Sequence, residues 1–370
     1  MIKVLIIIDK WLFGGREKVI ENIIYNINHR KFKIDILVIK NLKEKEKLIE
    51  KEFPNNTNVF FVEYKKRSEL VFYLVKFFKQ QKYDIILTTI FPPAVFLIYL
   101  SKIISFSSFK IIISVHGFFK TKHFYSYFLT KWLFKKVSLV ITVSGDLKSY
   151  LKTKFQVPSE KLMTIYNPLI CFRGKKDKEG IPFEYKKLNN FKKIITVARL
   201  DLKSKDFNTL FEALKLVKSK IKDIKLIIIG DGPDGDEIKK NAQEKKVISD
   251  IIFLGKRKDV LKYIKYADVF VLASFSEGLP SVILESFFCG CPVVATDCPT
   301  GPRELLDKNK NGLLVPMKEP PKMAEAILKI LTDKKLKEKL VKNSKEFLDN
   351  FDIKKQTEKY EKVFMRVLKK

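Results

Sequence analysis

A chain of 370 residues with 46% hydrophobic and 12% aromatic content carries enough apolar material for two ordinary cores, which excludes a disordered chain and favours two α/β domains. Its 73 Lys plus Arg against 42 Asp plus Glu give a formal net charge of +31, so the expected partner is anionic: nucleic acid, a membrane surface or a charged substrate. Eight of those cations are Arg, the residue that sequence-specific nucleic-acid readers favour for its planar fork, and 65 are Lys; this weakens the nucleic-acid reading, and with the abundant Ile and Phe it resembles the composition of an AT-rich genome.

In chain order, strand and helix alternate nearly throughout. The opening "IKVLIIID" (2–9) reads as a buried strand, and "FGGREKVIENIIYNI" after it as a loop entering an amphipathic helix. Further strands are read at 33–40, 84–90, 110–117 and 139–145. Their apolar runs are continuous, which suits a parallel sheet covered on both faces. No secretory pattern precedes the first strand. The longest apolar run, "FPPAVFLIYLSKIISF" (91–106), is interrupted by Lys102 and is short for a bilayer span. A cytosolic protein, or one peripheral to a membrane, is expected.

Past "LMTIYNPL" (162–169) the charge-rich stretch 169–190 reads as a linker. The pattern then restarts with "KKIITVARL", "IKLIIIGDG", "DIIFLGK", "ADVFVLAS", "CPVVATD" and "NGLLVP", each followed by helical sequence. The expected layout is one Rossmann-like domain over 1–168, a second over 191–350, and an amphipathic helix over 351–370 returning to the first domain. Open α/β sheets bind ligands at the carboxyl ends of their strands, so a cleft between two facing sheets is the expected site. Cys171, Cys289, Cys291 and Cys298 have neither metal-ligand nor disulfide spacing and read as buried free thiols in a reducing compartment.

The stretch that carries chemistry is "SFSEGLPSVILESFFCG" (274–290), directly after the strand-like "ADVFVLA". Pro280 and Ser281 signal a helix start and Gly290 its stop, so Glu277 lies on the loop and Glu285 about one turn into the helix. Unpaired amides and a partial positive charge at a helix start suit a diphosphate, and a carboxylate one turn in suits a diol such as that of ribose. Taken alone, the two glutamates read equally well as a solvated loop residue and a favourable first-turn acid. A second element favours function: "ITVARLDLKSKDFNTLFEAL" (195–214) puts Arg199 and Lys205 after the first strand of the same domain, opening toward the same sheet edge. Two cations there can neutralise charge on a departing phosphate.

With these residues in place, the chain resembles glycosyltransferase family 4. The resemblance rests on the two glutamates separated by seven residues, on "ARL…K", on "GDGP" (Gly230 to Pro233) and on "ATDCPTGPREL", and it extends over the whole length. It implies the GT-B architecture, two doubly wound Rossmann-like domains facing across a cleft, and retaining transfer from a nucleotide-diphosphate sugar. Glu285 would then hold the ribose hydroxyls. Gly278, Leu279, Pro280, Ser281 and Val282 would form the turn beside the diphosphate, Pro280 without an amide to donate. Arg199 and Lys205 would stabilise the leaving phosphate, and Glu277 would contact the donor sugar. The segment "LGKRKDV", near Lys256 and Arg257, would meet the base. Gly14 and Gly15 match the glycine loop of the first domain, and His116 matches a histidine beside the reacting sugar. One departure is evident: the family separates its Arg and Lys by four residues, whereas five separate Arg199 from Lys205, so the loop must bulge. "KDF" after Ser204 is what selects Lys205.

Retaining transfer without a placed nucleophile implies a front-face route in which the protein positions reactants and stabilises charge. No metal or other cofactor is expected; the acidic run "DGPDGDE" (231–237) reads as a turn and a helix's acidic first turn. The resemblance places uridine first among the donor bases. For the acceptor, "GFFKTKHFYSYFLTKWLFKKV" (117–137) mixes aromatics and Lys at helical spacing. Residues 118–134 read either as a helix on an anionic membrane surface or as an ordinary packed helix. The membrane reading implies a peripheral protein on the cytoplasmic face acting on a lipid-linked, polyprenyl-type glycan or a surface polysaccharide. Two alternatives stay open: a soluble family-4 transferase with a small sugar or sugar-phosphate acceptor, and a non-catalytic basic protein binding membrane or nucleic acid. The second lacks the Arg clusters and stacking aromatics it would want, so no nucleic-acid partner is expected.

Overall fold

The computed structural model describes residues 1–9, 15–41, 53–54, 57–90, 92–119, 123–169 and 180–369. Gly14, Cys171 and the middle of the expected linker lie outside the described residues. The chain divides into two units, Met1–Pro168 with Asp352–Lys370, and Leu169–Phe351.

In the first unit seven strands, β1 (Ile2–Ile8), β2 (Phe32–Asn41), β3 (Val59–Tyr64), β4 (Ile85–Thr88), β5 (Lys110–Val115), β6 (Leu139–Thr142) and β7 (Leu162–Thr164), form one sheet in the order β3-β2-β1-β4-β5-β6-β7. Each of these pairings is parallel. Strands β4 and β6 are buried along their whole length, as continuous apolar runs require when helices cover both faces. The strand order reverses between β1 and β4, which pair from Val4 with Ile85 to Ile7 with Thr88. The helix Ile353–Leu368 belongs to this unit: Tyr360, Val363, Phe364 and Val367, spaced to share one helical face, join the core formed by Val19, Ile20, Ile23 and Ile24. The Phe364 ring meets Phe32 edge-on at 5.7 Å.

Six strands make the second sheet: β8 (Lys192–Val197), β9 (Ile224–Ile229), β10 (Ile251–Gly255), β11 (Val269–Leu272), β12 (Val293–Thr296) and β13 (Leu313–Val315), in the order β10-β9-β8-β11-β12-β13 and all parallel. Its order reverses between β8 and β11, where Ile194 pairs with Val269 and Ile195 with Phe270. The end of the stretch read as a linker is packed into this unit. Tyr185, on the short helix Phe183–Lys186, is buried and donates its hydroxyl to the Tyr263 carbonyl at 3.1 Å. Cys291 and Cys298 are buried free thiols, and Cys289 is half-buried. Among the described residues no helix is long and apolar enough to cross a membrane.

Candidate active site

A chain-order reversal in a parallel sheet sends the two flanking connections in opposite directions and leaves the strand ends between them uncovered. In the second unit those connections are 198–206, after β8, and 273–280, after β11. An isolated antiparallel bridge joins Lys205 to Ser274 across them. Backbone bonds complete the join: Phe275 N–H donates to Ser204 O at 2.8 Å and Asp206 N–H to Ala273 O at 3.0 Å.

The side chains converge as well. Lys205 and Glu277 form an ion pair in which each side chain is only 13% exposed. Ser274, fully buried, donates its hydroxyl to Glu277 Oε1 at 2.7 Å and accepts from Lys205 Nζ at 3.3 Å. Both groups act on the same carboxylate oxygen, Oε1. Ser274 itself is fixed by the buried Thr296, whose Oγ1 accepts from Ser274 N–H at 2.8 Å and donates to Ser274 O at 2.8 Å. Thr300 holds the Glu277 backbone carbonyl with its hydroxyl. Burial, reinforced by the negative charge of Glu277, pushes the nearby Cys298 thiol up to about 12, so this cysteine is an inert wall of the site.

The residue count between Arg199 and Lys205 is absorbed by a turn that Asp201 nucleates. Asp201 O accepts from both Ser204 N–H (3.3 Å) and Lys205 N–H (2.9 Å), while its carboxylate takes Lys203 N–H (3.0 Å) and the Ser204 hydroxyl (3.3 Å). This turn brings Lys205 to Glu277 and leaves Lys203 exposed. The "GDGP" segment braces the same loop. Gly230 sits at φ +145°, and a Cβ there would lie 1.8 Å from the Ala198 carbonyl oxygen, so only glycine lets the two backbones meet. Arg199, held at the top of this loop, is exposed and makes no ion pair among the described residues.

Helix Ser281–Cys289 starts directly after Pro280 and ends at Gly290 in the left-handed conformation, as its start and stop signals predict. Gly278, Leu279 and Pro280 are buried; Ser281, Val282 and Glu285 are half-buried. The loop is propped from the far side by Gly301, whose φ of +94° admits a backbone approach to Gly278 O and Pro280. After β10, Gly255, Lys256 and Arg257 are exposed, and the Arg257 guanidinium is tied to Glu184 at 2.9 Å.

The remaining sequence candidates lie in the first unit. Gly15 opens the helix Gly15–Asn26, and His116 follows β5 with its Nε2 at 3.0 Å from Ser114 Oγ. The run 231–237 divides into a turn and the acidic first turn of helix Gly235–Glu244. Ser274, Thr296, Thr300, Asp201 and Gly301 are members of the site that the sequence reading did not name. Their signal was only their place in the quoted segments, because hydroxyls that act through another side chain carry no spacing of their own.

An ion pair of Lys205 and Glu277 and a helix start, both at the switch point of a parallel sheet, give the second unit the make-up of a doubly wound domain with a polar site at its strand ends. Family comparison makes this specific. Residues 13–170 match the model described as Glycosyltransferase Family 4 and residues 177–347 the model described as Glycosyl transferases group 1, so the chain belongs to the group 1/family 4 glycosyltransferases. It is 30% identical over 226 residues to the N-acetylgalactosamine-N,N'-diacetylbacillosaminyl-diphospho-undecaprenol 4-alpha-N-acetylgalactosaminyltransferase of Campylobacter jejuni, covering 61% of this chain and 59% of that one. The matched segments cover 59%, 63% and 64% of three such relatives, so the chain spans about three fifths of the length of the curated relatives it matches. Among solved structures, HepE of Anabaena in complex with UDP superimposes with a TM-score of 0.81 at 19% identity, covering 99% of this chain and all of that one. The lipopolysaccharide outer core galactosyltransferase WaaB, in its apo form, gives 0.75 at 16% identity over 99% of both chains. These likenesses establish the GT-B fold.

Proposed function

We propose that the chain is a retaining glycosyltransferase that moves a hexosyl or N-acetylhexosaminyl group from a UDP-sugar to a lipid-linked or surface-polysaccharide glycan. The observation that carries this reading is the joining of Lys205, Ser274 and Glu277 at the β8/β11 switch point, beside the start of helix Ser281–Cys289. Residues 191–350 take the nucleotide sugar and residues 1–168 the acceptor. Glu285 grips the ribose diol, amides of Leu279, Ser281 and Val282 face the diphosphate, and Glu277 accepts from a hydroxyl of the donor sugar. The backbone at Lys256 and Arg257 meets the base, Gly14 and Gly15 let backbone approach the donor phosphate or the acceptor, and His116 stands beside the reacting sugar.

In the reaction, the bond from the anomeric carbon to the β-phosphate oxygen breaks and the acceptor hydroxyl oxygen bonds to the same face of that carbon. The acceptor proton passes to the departing phosphate. Arg199 and Lys205 compensate the charge that grows there, so the protein acts by positioning and electrostatics. No metal is assigned a part.

The acceptor assignment draws on two supports. The Campylobacter relative is named for a diphospho-undecaprenol substrate. Helix Phe124–Lys136 presents exposed Phe124, Tyr125, Phe128 and Trp132 together with Lys135 and Lys136, and Trp132 meets Tyr99 of the neighbouring helix Pro92–Ile104 edge-on at 5.2 Å. An aromatic face with a basic end suits the interface of an anionic bilayer, which supports the reading of a peripheral enzyme on the cytoplasmic leaflet. Uridine is put first because HepE was solved with UDP.

The test is thermal stabilisation by UDP, GDP and ADP. Ligand at about 100 times its Kd stabilises the native state by about 2.7 kcal/mol, a rise of several degrees. UDP is expected to raise the midpoint, Glu285→Ala to abolish the rise, and Glu277→Ala to keep most of it while losing turnover. Equal loss in both variants refutes this division of labour, and no response to any nucleotide refutes the transferase reading.

A further inference from the structure

We infer that Ser274 is a positioning residue of the transfer site, one that orients the Glu277 carboxylate independently of Lys205. The inference rests on the transferase reading above. A serine hydroxyl has one proton to donate and two lone pairs to accept with. Lys205 can only donate and, when ionised, Glu277 can only accept. The proton of Ser274 therefore goes to Glu277 Oε1 at 2.7 Å, and its oxygen receives Lys205 at 3.3 Å. The order of these contacts has a consequence. A diphosphate that attracts Lys205 removes one of the two groups holding Glu277 Oε1, and the Ser274 bond then keeps the carboxylate in place toward the sugar.

Ser274 is built for that task. It is fully buried, its backbone is clamped on both sides by Thr296 Oγ1, and it is bridged to Lys205, so its hydroxyl has a fixed origin. Glu277, in turn, is held at its own carbonyl by Thr300. A carboxylate fixed at both backbone and one oxygen presents the other oxygen, Oε2, in one direction.

The experiment compares the wild type, Ser274→Ala, Glu277→Ala and the double variant. UDP affinity is read by calorimetry, and turnover as UDP released from UDP-glucose, UDP-galactose, UDP-N-acetylglucosamine and UDP-N-acetylgalactosamine. Ser274→Ala is expected to bind UDP within about 2-fold of wild type and to lower kcat by about 10- to 100-fold, the loss of one hydrogen bond to a charged group. Because Ser274 acts through Glu277, it is expected to add nothing in the Glu277→Ala background. Wild-type turnover in Ser274→Ala, or losses that multiply in the double variant, overturn the inference. The same cycle read in thermal stability needs no substrate: coupled losses support the link and additive ones refute it. A wild type that neither binds UDP nor releases it overturns the UDP-sugar reading, and the stability cycle then decides the Ser274–Glu277 link by itself.

Discussion

Replacing Gly301 by alanine tests the brace under the loop 278–281, which is proposed to face the diphosphate. Gly301 adopts φ +94°, ψ −65°, a region that a residue with a Cβ enters only at a cost of about 1–3 kcal/mol. The added Cβ would stand 2.5 Å from Gly278 O and 2.8 Å from Pro280 Cδ, where real contacts stop near 3.0 Å. The Gly278 carbonyl must therefore retreat by about 0.5 Å, the difference between 3.0 and 2.5 Å, or the Gly301 backbone must turn. Strain and displacement together come to about 2–4 kcal/mol. For a unit of this size that is a fall of about 5–15 °C in the melting midpoint. The displaced residue begins the turn 278–281, so UDP affinity is expected to fall at least about 10-fold at a temperature where the variant is still folded.

Differential scanning calorimetry and titration with UDP read the two effects separately. Gly117→Ala, where an added Cβ has nothing within 4 Å, supplies the stability baseline for a glycine substitution. A Gly301→Ala protein with an unchanged midpoint and unchanged UDP affinity refutes the argument, because the loop would then accommodate the Cβ without cost and Gly301 would not be a brace.

Three further outcomes are expected. Asp250 is nearly buried; burial raises its pKa, but the hydrogen bonds from Lys218 and Lys225 prevail and hold it below its ordinary value of 3.8. A depressed folded pKa contributes stability that is complete above the unfolded value and lost as the pH falls through the folded one, so Asp250→Asn should cost about 1–2 kcal/mol at pH 7 and progressively less below pH 4, read by thermal melts. Replacing Phe124, Phe128 and Trp132 together by serine should abolish sedimentation with vesicles containing phosphatidylglycerol while leaving the UDP-induced melting shift intact; unchanged sedimentation counts against the membrane face. Asp201→Ala removes the carboxylate that organises the turn 201–205 and should weaken UDP binding by about 5- to 10-fold, whereas wild-type affinity would mean that Lys205 is held by its pairing with Ser274 and Glu277 alone.

Much of this architecture is legible in the sequence because buried parallel strands are written as unbroken apolar runs. Eleven of the thirteen strands coincide with such runs, from "KVLIIID" to "NGLLVP". The exceptions are the two edge strands of the first sheet: β7, three residues long and only partly buried, and β3, whose "VFFVEY" alternates between half-buried, exposed and buried positions, a pattern easily mistaken for loop or helix. Helix ends are equally local: Pro280 before the start and left-handed Gly290 at the stop bound Ser281–Cys289 without help from the rest of the chain. What the sequence could not show is pairing. Lys205 and Glu277 are 72 residues apart, and only the adjacency of β8 and β11 brings them together. Ser274 and Thr296 are likewise anonymous until the ends of β11 and β12 place them one against the other.

The pairing also bears on how a cation can be stored in a nearly buried site. A lysine side chain only 13% exposed has given up much of its solvation by water and needs an opposite charge close by. Glu277 supplies that opposite charge in the absence of substrate. On the transferase reading, Arg199, exposed and outside any ion pair among the described residues, is the first cation an approaching diphosphate meets. The diphosphate then exchanges with Glu277 for Lys205, and the lysine passes from one anion to another without a stage in which it is buried unpaired. Glu277 is left with the Ser274 hydroxyl and, on the donor, a sugar hydroxyl; both are neutral donors suited to a carboxylate that has lost its counter-ion. A nucleotide without a sugar satisfies the lysine and leaves the carboxylate with Ser274 alone. By this argument the site should hold a full nucleotide sugar in a more settled state than it holds the nucleotide diphosphate, with Glu277 as the residue that senses the difference.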